Sequence, residues 1–234
     1  MPLSAIAEGN MPDRAWKMEK HQQDWRVGDT INASIGQGFV LTSPLQLAVM
    51  TARIASGRAV VPRIVRQVDG RDAEVAEAPP LGIDGSLLRA VRGGMFDVVN
   101  SDAGTGYGSR VADELLLMSG KSGTSQVRNI STAERAAGVV SNADLPWNRR
   151  DHALFVCYGP AEAPRYAVSV VVEHGGGGSS VAAPIARDAL LRALTGGLPP
   201  LTAYPASQRG RMESLLKDLQ LRMPDGTPSA KSRA

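Results

Sequence analysis

Apolar positions gather into a few well-bounded segments. From Pro44 to Ser56 (PLQLAVMTARIAS) they run almost all round a helical wheel, with Ser43-Pro44 as a start signal and Gly57 as a stop, which predicts a buried helix. A second helical period runs from Asp84 to about Asn100 through Leu87, Leu88, Val91, Met95, Val98 and Val99, weakened by Gly93-Gly94. Two runs rich in β-branched residues, 152–159 (HALFVCYG) and 165–173 (RYAVSVVVE), flank PAEAP and predict an antiparallel hairpin. After the tract Gly175 to Gly178, AAPIARDALLRAL predicts a helix that ends before Gly196-Gly197.

The intervening segments carry weaker signals. Residues 1–30 show no sustained period and read as loop-rich, with Trp16 and Trp25 as packing anchors. AVVPRIVRQV, broken by Pro62, reads as short edge strands, and DAEVAEAPPLG as a loop. DAGTGYGSRV is too glycine-rich for regular structure, and 129–150 reads as a long surface loop. Residues 1–197 are expected to form the packed unit, and 198–234 a poorly ordered tail. Helices packed on an antiparallel sheet make the fold class α+β.

Composition narrows the partners. The chain has 234 residues, with 26 Lys and Arg against 23 Asp and Glu in a mixed pattern, which gives little reason to expect nucleic acid. A single cysteine, Cys157, excludes an internal disulfide; inside an apolar run it reads as a small core residue. No run approaches the roughly 20 apolar residues of a membrane-spanning helix. The N-terminal MPLSAIAEGNMPDR lacks the basic head and apolar stretch of a signal peptide.

The most informative stretch is Lys121-Ser122-Gly123-Thr124, preceded by LLLMSG and followed by SQV. On a strand, Lys121 and Gly123 share one face and Ser122 and Thr124 the other. At a sheet edge beside a cleft this offers an ammonium and two hydroxyls to an anionic substrate, lets a backbone approach at Gly123, and exposes N–H groups to an oxyanion. Gly36-Gln37-Gly38 reads as a backbone turn, since it has no P-loop Lys-Ser/Thr. Gly175 to Gly178 reads as a flexible connection. Asp151-His152 and Glu173-His174 read as polar hairpin ends without metal-ligand spacing to Cys157, so no metal ligand is assigned.

Three segments, 28–57, 120–127 and 151–191, occur in an order that resembles the penicillin-binding transpeptidases, most closely the elongation-type class B group known as penicillin-binding protein 2. That family carries a Ser-x-x-Lys nucleophile pair, a Ser-x-Asn motif and a Lys-Thr-Gly strand. Here the third motif matches as Lys121-Ser122-Gly123. No Ser-x-Asn triplet occurs, and the single Ser-x-x-Lys, Ser214 to Lys217, lies in the wrong order, downstream of Lys121.

The resemblance implies the C-terminal part of a transpeptidase domain with a partial penicillin-binding, serine β-lactamase-like fold, a fragment inactive alone. It implies Lys121 as a catalytic residue of the proton network. Ser122, Gly123 and Thr124 would bind the D-Ala-D-Ala stem peptide of peptidoglycan or the carboxylate of a β-lactam, with no cofactor. It also implies the periplasmic face of the bacterial inner membrane and a membrane glycosyltransferase as partner. Two alternatives stand beside it: a catalytically dead binding module, and a serine β-lactamase-like hydrolase.

Overall fold

The computed structural model describes residues 7–128 and 130–219. Its centre is a three-stranded antiparallel sheet, β3 (Ser119–Ser125), β4 (His152–Gly159) and β5 (Tyr166–Val172), in that spatial order. β3 is an edge strand. Period-two alternation splits β4 between two cores: Ala153, Phe155 and Cys157 face one way, Val156 and Tyr158 the other.

The first face is covered by α6 (Ala183–Thr195), whose Ala183, Ala186, Leu190 and Leu191 are buried. The second is covered by α3 (Pro44–Ser56) and α4 (Gly85–Asn100), which bring Leu47, Ile54, Ala55 and Met95 onto Val156 and Tyr158. α4 reaches both cores, since Val99 one turn beyond Met95 enters the first. Its Gly93-Gly94 does not interrupt it.

Local chemistry accounts for the boundaries of α3. Ser43 Oγ accepts the Gln46 N–H (3.2 Å), Gln46 Oε1 accepts the Ser43 N–H (2.8 Å), Pro44 occupies the first turn, and Gly57 closes the helix at φ 73°. The expectation that α3 is buried holds on one side only. Leu45 and Met50 are 37% and 44% exposed, and line a groove of about 510 Å³ with Val49, Pro62, Leu81 and Ile83. The far side of this apolar helix is therefore only partly covered.

Other segments also differ from expectation. The opening region holds two helices, α1 (Arg14–His21) and α2 (Val27–Ser34), joined by a Lys17–Asp29 ion pair. Trp16 packs against His21 and Phe39, and Trp25 Nε1 donates to Thr30 Oγ1 (2.8 Å). In the AVVPRIVRQV segment only Gln67–Val68 (β1) is a strand, paired with Arg71–Asp72 (β2). The 129–150 stretch carries α5 (Thr132–Ala137) and two short 3₁₀ turns.

Packing also continues past 197, where the sequence suggested a tail. Ala203, Tyr204 and Met212 of the segment leading into α7 (Arg209–Asp218) are buried in the first core, and the Ala112 N–H donates to the Ala203 carbonyl (2.8 Å). Residues 220–234 of the expected tail lie outside the described residues. Gly178 corrects another expectation. A Cβ there would lie 2.4 Å from the carbonyl oxygens of Gly123 and Leu154, so this glycine permits tight packing on the β3–β4 pair and is not simply a flexible link.

Candidate functional site

β3 pairs with β4 so that Lys121 lies opposite Val156 and Ser122 opposite Phe155. Directly opposite residues share a face, so the two side chains project to different sides of the edge, as the sequence suggested. Lys121 is exposed and its Nζ donates to the Ser122 carbonyl (2.8 Å); among the described residues no carboxylate pairs with it. Gly123 has room: a Cβ there meets nothing closer than Leu154 Cβ at 3.4 Å.

The wall opposite Ser122 comes from the loop after α4. Thr105 Oγ1 and Ser122 Oγ lie 3.3 Å apart. Three glycines allow this approach. Gly104 tucks under the end of α4, where a Cβ would lie 2.3 Å from the Val98 carbonyl oxygen. Gly106 donates to that same oxygen (2.8 Å). The buried Phe155 ring sits beneath both Gly106 and Gly120, and a Cβ on Gly120 would come within 2.6 Å of it. Phe155 is therefore the floor on which β3 and the Thr105 loop meet.

At the far end of β3, Gln37 Nε2 donates to the Thr124 carbonyl (2.7 Å) across 87 residues of sequence. Gln37 and Gly38 then border a small polar pocket of about 240 Å³ with Gln126, Val127 and Arg128. Arg128 is fixed by two hydrogen bonds to Glu134 (2.7 and 2.8 Å), and these hold the Glu134 carboxyl below its usual range. The Gly-Gln-Gly turn thus belongs to the rim of the β3 edge.

Behind the Thr105 loop, Gln208 Nε2 donates to the Gly108 carbonyl (2.8 Å) while its Oε1 accepts from the buried Arg187 (2.8 Å). Arg187 also donates to Asp188 and lies over the Tyr204 ring. Burial first, then the Asp188 charge, pushes the Tyr204 hydroxyl up to about 12.

The remaining candidates do not join this site. Burial pushes the Cys157 thiol up to about 12, so it is no nucleophile near neutral pH. His152 Nδ1 accepts the His174 N–H (2.9 Å) and His174 packs edge-on to Trp147, which makes the pair a hairpin clamp. Among the described residues no group of three or more His, Cys, Asp or Glu side chains is placed to hold a metal ion. Ser214 lies on α7, where its hydroxyl bonds back to the Gly210 carbonyl.

Residues 6–191 match the model of the penicillin binding protein transpeptidase domain. The chain belongs to the penicillin-binding protein transpeptidase family. It is 36% identical over 201 residues to the peptidoglycan D,D-transpeptidase MrdA of Haemophilus influenzae, covering 83% of this chain and 30% of that protein. It is 37% identical over 193 residues to MrdA of Acinetobacter baumannii, covering 78% of this chain and 27% of that protein.

Among solved structures, Pseudomonas aeruginosa PBP2 in complex with WCK 5153 superposes with a TM-score of 0.64 at 36% identity, over 85% of this chain and 42% of that one. The Helicobacter pylori PBP2 complex with MreC gives 0.65 at 30% identity, over 82% and 32%. This α+β domain has the penicillin-binding fold, and the chain spans about 30% of the length of the curated relatives it matches.

Within the transpeptidase domain, the sequence placed Lys121 through Thr124 on a strand and Gly36-Gln37-Gly38 in a turn near the cleft, but it did not show Thr105, Phe155 or the Gln37 amide in contact with that strand. The glycine pairs at 104/106 and 36/38 were the available signal, since each flanks the residue that reaches β3.

Proposed function

We propose that this chain forms the acyl-donor docking edge of a peptidoglycan D,D-transpeptidase. The observation that carries the proposal is the edge of β3, where the Lys121 ammonium, paired with no carboxylate among the described residues, and the Ser122 hydroxyl lie within three residues of the Thr124 backbone. In this reading Lys121 attracts the terminal carboxylate of a D-Ala-D-Ala stem peptide or of a β-lactam, and Ser122 and Thr124 hydrogen-bond it. Gly123 admits the substrate backbone. The Thr124 N–H supplies one donor of the oxyanion site.

The complete reaction needs a serine to attack the penultimate D-alanine carbonyl, expelling D-alanine, and an amine of a second stem peptide to resolve the acyl-enzyme. No Ser-x-x-Lys precedes Lys121 in this chain, so by itself it binds without turning over. In this reading its place is the periplasmic face of the bacterial inner membrane beside a membrane glycosyltransferase; no described helix is long and apolar enough to cross a membrane.

Saturation-transfer NMR with N-acetyl-D-Ala-D-Ala, paired with intact mass after incubation with a penicillin, tests this. The account expects transfer to the terminal methyl group, its loss with the L,L isomer, and no mass gain. Equal transfer to both isomers, or a stoichiometric adduct mapped to Ser214, would overturn it.

A further inference from the structure

An edge strand presents backbone groups to a partner, and on β3 the groups that face outward can be identified. The Ser122 and Thr124 carbonyls each accept a side-chain donor, Lys121 Nζ (2.8 Å) and Gln37 Nε2 (2.7 Å), so they point away from β4. In an antiparallel ladder, alternate residues turn both N–H and C=O to the same side. Thr124 therefore offers its N–H and its carbonyl together at the open edge. A peptide residue that places its own C=O on the Thr124 N–H brings its N–H to the Thr124 carbonyl, the pairing of an added strand. Gln37 already occupies that carbonyl.

We propose that Gln37 is a removable cap on this edge, a positioning residue whose amide holds the place of the backbone N–H of the substrate's penultimate residue and yields to it on binding. The proposal deepens, and rests on, the reading of β3 as the acyl-donor edge.

The backbone around Gln37 is pinned by its own turn, while its side chain is held by one hydrogen bond, to the Thr124 carbonyl. The Gln37 N–H donates to the Asn32 carbonyl (2.9 Å) and the Gly36 N–H to the Ala33 carbonyl (3.0 Å), which ties the turn to the end of α2. Gly36 and Gly38 both sit at φ 72°, a region that L side chains rarely adopt, and a Cβ on Gly38 would press to 3.2 Å on Asn32. The turn thus presents Gln37 in one direction.

A displaced amide also has somewhere to go. The polar pocket of about 240 Å³ bordered by Gln126 and Arg128 lies directly beside it, and its Arg128 wall is held by Glu134. The cap therefore has two polar environments and exchanges one hydrogen bond for others. A ligand that must displace it binds with an affinity reduced by the capped fraction.

Two ligands that differ in one group separate this role from simple support of β3. N-acetyl-D-Ala-D-Ala carries the N–H in question; O-acetyl-D-lactyl-D-alanine replaces it with an ester oxygen and keeps the carboxylate and the scissile amide. Each is titrated into the ¹⁵N-labelled full chain and followed at the amides of Ser122, Gly123 and Thr124. Gln37→Ala and the length-preserving Gln37→Met should tighten the peptide about fivefold, the worth of one neutral hydrogen bond. Both should leave the depsipeptide unchanged. An equal change for both ligands, or weaker peptide binding in the variants, would overturn the cap. Absence of any shift at β3 with either ligand, in wild type and variants alike, would overturn the docking reading and the cap with it.

Discussion

Replacing Gly120 by alanine tests whether the close approach of β3 to Phe155 is built into the fold. The added methyl would lie 2.6 Å from Phe155 Cε1, 2.8 Å from Cζ and 2.8 Å from the Val156 carbonyl oxygen. None of these atoms is the free end of a flexible chain: Phe155 is 0% exposed and Val156 contributes backbone of the central strand. Overpacking of this kind costs about 3 kcal/mol, at the upper part of its usual range. Against it stands a gain of at most about 1 kcal/mol, because alanine restricts the unfolded chain more than glycine. The clash wins by about 2 kcal/mol. For a chain of this length that lowers Tm by about 4–8 °C.

Urea denaturation at low protein concentration measures the effect, and Phe155→Leu supplies the partner for a double-mutant cycle. The smaller side chain alone leaves a cavity, but with Gly120→Ala it makes room, so the pair should be less unstable than the sum of the two by at least about 1 kcal/mol. A Gly120→Ala midpoint equal to wild type, or simple additivity with Phe155→Leu, would refute the reasoning.

Two further outcomes follow from other parts of the molecule. A hydrogen bond from Lys17, then the Arg26 N–H, holds the Asp29 carboxyl below its ordinary 3.8, so the folded state binds the proton less readily than the unfolded one. The stability this gives is complete above the ordinary carboxylate range and is lost as pH falls through the folded value; Asp29→Asn should flatten the fall of the urea midpoint between pH 5 and 3, in the sense that an unchanged slope would contradict the assignment. The apolar groove along α3 predicts self-association that rises with concentration in light scattering, and Met50→Lys, which places a charge in that groove, should lower the apparent mass; a sharp monomer in the wild type would remove the basis for this.

Much of the scaffold was legible wherever one local signal decided the structure. Ser43, Pro44 and Gly57 bracket α3 through capping geometry that depends on neighbours within four residues. The hairpin followed from β-branched runs that must alternate between two cores, and Lys121 to Thr124 from a motif within one strand. The failures have a common cause. α1 is eight largely polar residues without an apolar stripe, so only Asp13, whose side chain accepts the Trp16 N–H, marks its start. The ordering of 201–218 depends on Tyr204 and Met212 entering a core built from β4 and α6, which no local pattern announces. Thr105 and Gln37 meet β3 across 17 and 87 residues, and only folding reveals why glycines flank them.

The measurement that bears most directly on the central claim is an amide chemical-shift map of the full chain titrated with N-acetyl-D-Ala-D-Ala, in wild type and in Lys121→Ala. The account predicts saturable shifts confined to Ser122, Gly123, Thr124, the facing Thr105 loop and the Gln37 turn with its adjoining pocket, weakened about tenfold or more when the ammonium is removed, the scale of a charge-assisted hydrogen bond. Shifts centred elsewhere, or a titration that Lys121→Ala leaves unchanged, would contradict it.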